Sequence, residues 1–407
     1  LRALMTDWNE AVFAIAVAED RLLTLKGLRT ASLMHLAIHD ALNSIESRFE
    51  RFAREEPDDQ ADAVTAVVQA AFSVVSSQYP DQLGKLEEKM VSELTSIPDG
   101  PAKSAGVELG RSCAASAVEQ RDGDAWDSQA EYAWHPMGPG VYAEFNEHSG
   151  TPEGFIFGAG WAKAKPFVLT RPDQFRSPPP PDISSDQYTG AYSEVKDVGR
   201  FQSMTRTADQ THLALWWKDF VENSHNRLAR QLVEAEELDA WSAARLFALL
   251  NMSVYDAYIN VFDNKFHYNH WRPYTAIRWA AHDGNAHTEP DTLWNNTHRH
   301  TYAFPSYPSA HGTACAAAMT TLADTFGEDF AFTMFTSVVD IEGPMSEKIF
   351  MEPPTRSFGS FSEAAMECSL SRIYLGIHFR YDSTEGVRLG NQVGRFVVEN
   401  SLRPVDG

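Results

Sequence analysis

Apolar residues recur at three- and four-residue spacing across 31–45, 63–75 and 83–94, with polar or charged residues between them. That spacing predicts helices over the first ~120 residues. Helical periodicity resumes from Tyr188, is strong over 226–260, and returns at 314–326 and 361–377. Strand signals are scarce, so the pattern predicts an all-α protein. Between the helical regions, 122–167 has no period and is rich in glycine, proline and aromatic residues, among them Trp126, Trp134, Gly138, Pro139, Gly140 and Trp161. A loop of this length in a folded chain is usually functional or disordered, and its aromatics argue against disorder.

The run Ser177-Pro178-Pro179-Pro180-Pro181 must be extended, because each proline fixes φ and pushes its predecessor out of the helical region. It sets the expected organisation. Residues 1–175 form an N-terminal helical bundle plus the irregular aromatic segment, 176–188 a proline-rich linker, and 189–407 a C-terminal helical bundle. A shift of 216 residues pairs Arg29 with Arg245, Leu33 with Leu249, Ile38 with Val254, Asp40 with Asp256 and Ala41 with Ala257. If this weak repeat is real, the halves are related bundles.

Charge narrows the partners. With 34 Lys+Arg against 56 Asp+Glu the formal net charge is −22, which repels phosphate backbones and anionic headgroups. Nucleic acid and membrane surfaces are therefore excluded as expected partners. No apolar run approaches the ~20 residues of a bilayer span. Three cysteines, Cys113, Cys315 and Cys368, are too few and oddly numbered for a disulfide framework, so stability is expected from packing. The absence of an initiator methionine fits either a removed export signal or trimmed disorder, with nothing in the sequence to separate the two, and periplasmic or secreted localisation is the expectation.

Three segments concentrate cationic and imidazole groups beyond the needs of packing. In Lys265-Phe-His-Tyr-Asn-His-Trp-Arg272-Pro273 the two cations are seven residues apart, two helical turns, so both can face one way before Pro273 ends the helix. In Phe304-Pro-Ser-Tyr-Pro-Ser309-Ala310-His311-Gly312, a Pro-Ser pair precedes a helix-forming run. Ser309 is then near an N-cap, where free amides and the positive dipole end attract an anion, with His311 beside it for proton transfer. In Ser371-Arg372-Ile-Tyr-Leu-Gly-Ile-His378-Phe-Arg-Tyr-Asp382, His378 and Asp382 stand at i and i+4 on what should be one helix. The carboxylate can then take the Nδ1 proton and leave Nε2 a basic lone pair.

Together these segments read Lys-x6-Arg-Pro, Pro-Ser-small-His, and Ser-Arg-x5-His-x3-Asp, in order over 265–382. The set resembles the signature of the superfamily that joins type 2 phosphatidic acid phosphatases, bacterial nonspecific acid phosphatases and vanadium-dependent haloperoxidases. The second and third motifs are more similar to the haloperoxidase branch, and the linker 171–181 looks like that of haloperoxidase-related bacterial proteins. Ala310 departs from the family's usual glycine.

The resemblance implies two four-helix bundles and a resident vanadate whose site phosphate can also occupy. Lys265, Arg272 and Arg372 would neutralise its equatorial oxygens, and Ser309 with the Ala310 amide would complete the cradle. His378 would bond vanadium axially, held by Asp382, and His311 would hydrogen-bond the opposite apical oxygen and act as acid–base partner. Phe304 stands where the resemblance puts phenylalanine in chloroperoxidases and histidine in bromoperoxidases, and so would line a halide pocket. The implied activity is peroxide-dependent oxidation of bromide, with chloride a candidate, to hypohalous acid that halogenates a small organic acceptor. An acid phosphatase acting through a phosphohistidine at His378 is the alternative, and a non-catalytic oxyanion-binding protein a third reading, against which the two histidines argue. The irregular segment 122–167 either roofs the site or packs as a surface loop. His225, His267 and His270 are open as pocket liners, and whether the chain works alone or as a homodimer is also open.

Overall fold

The computed structural model describes residues 1–53, 56–344 and 346–405. They are mostly helical, as the periodicity predicts. The first helices are α1 (Arg2–Asp20), α2 (Lys26–Ile45), α3 (Ala63–Gln78), α4 (Leu83–Leu94) and α5 (Pro101–Glu119). The predicted irregular stretch follows, broken only by the one-turn α6 (Asn146–Ser149) and a 3-10 turn at Trp161–Lys163. Helices resume with α7 (Asp186–Val198), α8 (Ala208–Trp216), α9 (Val221–Ala235), α10 (Ala240–Tyr268), α11 (Pro273–Trp279) and α12 (Ala310–Phe326). The chain ends with α13 (Phe361–Tyr374) and α14 (Arg380–Asn400).

Between α12 and α13 lie two small antiparallel pairs that the periodicity does not predict. Strand β1 (Phe332–Phe335) pairs with β4 (Thr355–Phe358), and β2 (Val338–Asp340) with β3 (Lys348–Phe350). Strands of three or four residues are too short for alternation to stand out.

The chain gathers into two compact units, and neither is continuous. One comprises Leu1–Asp127, His225–Tyr255 and Arg395–Gly407, the other Ser128–Ser224 and Asp256–Gly394. This division differs from the expected cut at a proline linker. The proline run is extended but does not separate units, because Tyr307 donates to the Pro178 carbonyl at 2.6 Å and Asn264 Oδ1 accepts from the Ser177 amide at 2.9 Å. Covalent order marks a stiff segment there, but contacts on both sides of it belong to the second unit.

In the first unit α2, α3 and α5 pack on one another, with α1 on α2 and α4 on α3. Nearly every residue of α2 from Gly27 to Ser44 is buried. A helix covered all round must satisfy its polar groups internally. Asn9 Nδ2 reaches Asn226 Oδ1 at 2.8 Å and His35 Nε2 at 2.9 Å, and Asn226 donates to Asn251 at 2.9 Å.

The weak repeat has a structural counterpart. Buried Asp40 accepts the amides of Phe52 and Ala53 at 2.6 and 2.7 Å. Its partner in the shifted register, Asp256, accepts those of Phe167, Val168 and Leu169 at 2.6, 2.8 and 2.9 Å. Each carboxylate fastens a non-helical segment to the middle of a core helix.

The second unit is built round an aromatic core that includes Tyr188, Tyr192, Trp271, Trp294, Tyr307, Phe379 and Tyr381. Helix α14 lies close to α12 because Gly386, Gly390 and Gly394 form a stripe along it. A β-carbon at Gly386 would come within 2.9 Å of the Ser309 carbonyl oxygen, and one at Gly394 within 2.9 Å of that of Ala317. The cysteines correct the sequence reading. Cys315 of α12 and Cys368 of α13 form a disulfide across two packed helices, whereas Cys113 remains a buried thiol. Their 53-residue separation carries no local signal of pairing. Among the described residues no helix is long and apolar enough to cross a membrane.

Candidate active site

Alternation in extended backbone supplies the site. Trp271, Tyr307 and Phe379 enter the aromatic core, and their neighbours Arg272, Ser306 and His378 turn the other way into one buried polar cluster. A strand-like segment sends consecutive side chains to opposite sides, so each aromatic anchor orients the polar residue next to it.

Two sequence expectations about these segments are corrected. Lys265 and Arg272 do not share a helix: α10 ends at Tyr268, Asn269 takes a left-handed conformation with φ 49°, and Arg272 is extended at the N-cap of α11. A fold-back of the chain, rather than two helical turns, brings the cations to one place. His378 and Asp382 do not share a helix either, since Gly376, with φ 79°, turns the chain after α13 and α14 begins only at Arg380. Their contact nonetheless forms, with His378 Nδ1 2.9 Å from Asp382 Oδ2. The Phe379 amide donates to the same oxygen at 3.1 Å, as does the Ser306 hydroxyl.

The cluster is closely tied. Lys265 Nζ donates to the carbonyls of Pro305 and Ser306 at 3.0 and 2.8 Å. Arg272 donates through Nε to Phe304 O at 2.8 Å and through Nη1 to Ile377 O at 2.9 Å. The Phe304 ring lies 4.7 Å from the Arg272 guanidinium carbon and 5.1 Å from Lys265 Nζ. Ser309 is the N-cap of α12, accepting the Gly312 amide at 3.2 Å, and its own amide donates to Asp382 O at 3.0 Å. Arg372, in the last turn of α13, donates to Trp217 O at 3.4 Å and hydrogen-bonds Tyr302. His311 occupies the first turn of α12, close enough to His378 to disfavour its protonation. Ala310 opens α12 in helical backbone, so a β-carbon is accommodated there and the amide is retained.

Hydrogen-bond logic assigns the His378 tautomer. Arg272 Nη1 is 3.2 Å from His378 Nε2, and a guanidinium can only donate. Nε2 therefore carries the lone pair, and Nδ1 donates its proton to Asp382. Burial, reinforced by Arg272, Lys265, Arg372 and His311, holds the His378 pKa well below the usual histidine value, so the ring is neutral.

Burial also lowers all three cations, Arg272 to about 10 and Lys265 far below the ordinary lysine value. Lys265 and Arg272 here face the buried carboxylate of Asp382, itself pushed up by burial to about 6. Moreover, Arg272 Nη2 and Arg372 Nε are buried with no acceptor within reach among the described residues. Buried N–H groups are nearly always satisfied, and buried charge requires compensation. A compact oxyanion supplies both, so the donor set fits a tetrahedral vanadate or phosphate.

Sequence reasoning missed several neighbours. Ser306 lies inside the second motif, but its role as a donor to Asp382 emerges only when the chain folds back. Tyr302 beside Arg372 and fully buried His298, whose rings are 5.4 Å apart, were invisible for the same reason. Neither nitrogen of His298 has a hydrogen-bond partner among the described residues. Of the open histidines, His270 is buried and 2.7 Å from the Tyr381 hydroxyl, His267 is exposed, and His225 belongs to the first unit. The irregular segment lies against the site's own walls: the Phe157 amide donates to Ala303 O at 2.8 Å, its ring packs 5.7 Å from that of Phe304, and the Trp271 amide donates to Gly140 O at 3.0 Å.

Residues 245–407 match the family of VCPO second helical-bundle domains. The chain is 23% identical to the vanadium chloroperoxidase of Curvularia inaequalis, over 87% of this chain and 74% of that protein. Its fold is similar to that of a bacterial vanadium-dependent iodoperoxidase, with a TM-score of 0.79 and 22% identity over 99% of this chain and 97% of the other. It is also similar to a holo-type bacterial vanadium-dependent chloroperoxidase, with a TM-score of 0.69 and 17% identity over 91% and 90% of the two chains. Residues 245–407 thus match VCPO second helical-bundle domains in sequence, and the fold of the chain is similar to that of the solved vanadium haloperoxidases.

Proposed function

We propose that the protein is a vanadium-dependent haloperoxidase that uses hydrogen peroxide to oxidise bromide, with chloride as a second candidate, for halogenation of a small organic acceptor. The observation that carries this reading is the pair of orphaned guanidinium N–H groups on Arg272 and Arg372, in a buried cationic cluster beside a neutral, acceptor-ready His378 Nε2. Lys265, Arg272 and Arg372 would hold the oxyanion, Arg through directional donors and Lys as a point charge, with Ser309 and the Ala310 amide at the helix N-terminus. His378 would ligate vanadium through Nε2, oriented by Asp382 and Ser306. Bound vanadate supplies a Lewis acid that activates peroxide toward halide. His311 would hold a proton beside the oxyanion and exchange it with the substrate there. The Phe304 ring and the segment around Phe157 keep bulk water from the cations.

The same Nε2 lone pair suits a second reading, an acid phosphatase in which His378 attacks phosphorus. The two separate in one experiment. Apoprotein reconstituted with orthovanadate is assayed for peroxide-dependent bromination of a phenolic dye, and vanadate-free protein for hydrolysis of a chromogenic phosphate. Bromination without hydrolysis is expected; hydrolysis without bromination would replace this reading with the second.

A further inference from the structure

The disulfide lies beside the site. Cys315 is one helical turn beyond His311 on α12, and Cys368 one turn before Arg372 on α13. The bond therefore joins the helix that presents Ser309 and His311 to the one that presents Arg372. Both sulfurs and a ring nitrogen of His311 lie within 4.8 Å of one another. We infer that reduction of Cys315–Cys368 creates a site for a thiophilic divalent cation such as zinc, formed by the two thiolates and His311, and that occupation withdraws His311 from proton transfer at the oxyanion.

The chemistry of the three groups supports this. Two thiolates and one imidazole, with a fourth position open to water, are a common zinc ligand set. Zn–S bonds of about 2.3 Å at a tetrahedral angle put the sulfurs about 3.8 Å apart, so the two bonded sulfurs must separate once the disulfide is reduced. The two α-carbons are 6.7 Å apart, and α12 and α13 are packed tightly at this level, where a β-carbon on Gly312 would overlap Ser369 Oγ. Rotation about the cysteine side-chain bonds suffices to open the sulfurs. The competition for His311 also follows from position, since a residue four places from Cys315 points along the same helix face.

The steps balance. A dithiol or phosphine reductant gives two electrons to the disulfide, which takes up two protons and becomes two thiols. The cation then displaces both protons and binds the thiolates, so a doubly charged ion meets two negative ligands without adding net charge beside Arg372. In the oxidised state the sulfurs bond only each other and His311 serves the oxyanion. The predicted loss of activity rests on the haloperoxidase reading; the cation site does not.

The test uses the full chain. Thiols are counted in denaturant before and after native treatment with a phosphine reductant, which is then removed without air. The count should rise from one, Cys113, to three. Cobalt(II) added to the reduced apoprotein should give the thiolate charge-transfer absorption of a tetrahedral site at one equivalent, and zinc should abolish it. Oxidised protein, and the C315S/C368S double variant, should give no such band. After loading with orthovanadate, zinc should lower bromination by about 10²–10⁴-fold in reduced protein and leave oxidised protein and the double variant unaffected. Three thiols at the outset, a count that stays at one after reduction, or a cobalt spectrum without thiolate absorption would each overturn the inference. A thiolate band in a protein that never brominates would defeat the haloperoxidase reading and leave the cation site standing.

Discussion

Replacing Asp382 by asparagine is the sharpest probe of the site, because the change keeps shape and removes charge. Oδ2 accepts from His378 Nδ1, the Phe379 amide and the Ser306 hydroxyl. Hydrogen bonds to a charged acceptor contribute ~1.5–3 kcal/mol each and neutral ones about 1. Three weakened bonds therefore cost about 1.5–6 kcal/mol. The amide nitrogen must also occupy the place of Oδ1, which is buried without a partner, and this adds about 1–3 kcal/mol.

Anion affinity responds to two opposed effects. Loss of a negative charge a few ångströms from the oxyanion favours binding by about 2–3 kcal/mol at an effective dielectric near 20. Loss of the group that orients a ligating histidine weakens metal bonding by about 10–100-fold, or about 1.4–2.8 kcal/mol. The first effect is shared by vanadate and phosphate; the second belongs to vanadate alone. The ratio of vanadate to phosphate affinity should therefore fall about 10–100-fold in Asp382→Asn, even if neither affinity changes much by itself. Competitive calorimetry measures the ratio, urea denaturation measures the stability loss, and nitrogen-15 shifts of His378 report its tautomer. An unchanged ratio with an unchanged tautomer would refute the claim that Asp382 acts through His378.

Other outcomes follow from the same geometry. His311→Ala should retain vanadate affinity and lose about 10²–10⁴-fold in bromination, since it removes proton transfer and no cage donor; parallel loss of both would make His311 a ligand-holding group. Ala310→Gly should bind vanadate like the wild type and Ala310→Pro should not, because proline deletes the amide at the start of α12; equal affinities would remove that amide from the cradle. Phe304→His should lower chloride oxidation relative to bromide, and a constant ratio would exclude the ring from halide selection. Burial lowers buried His35 from 6.5 to about 3, so in acid the unfolded chain takes up a proton that the folded chain refuses. Its contribution is fully present above pH 6.5 and declines as pH falls toward 3, by up to about 1.4 kcal/mol per pH unit. Denaturation at pH 7 and 5 should show a smaller difference in His35→Gln than in wild type.

Periodicity alone determined that the chain is helical, that an irregular aromatic segment interrupts it, and that Ser309 caps a helix, because these depend on residues near one another in sequence. The three motifs also named the groups that the structure gathers round His378, since their chemistry is a property of residue type. What they could not show is how the groups meet. Lys265 and Arg272 converge through the left-handed turn at Asn269, and His378 reaches Asp382 from outside the helix through the turn at Gly376. The contribution of Ser306, the seating of Phe157 on Phe304, the Cys315–Cys368 bond and the interleaved units appear only in three dimensions. The physical reason is the same in each case: a local pattern reports which face of an element is apolar, whereas a buried charge is satisfied by whichever donors and acceptors the packed backbone brings within 3 Å, however far apart they lie along the chain.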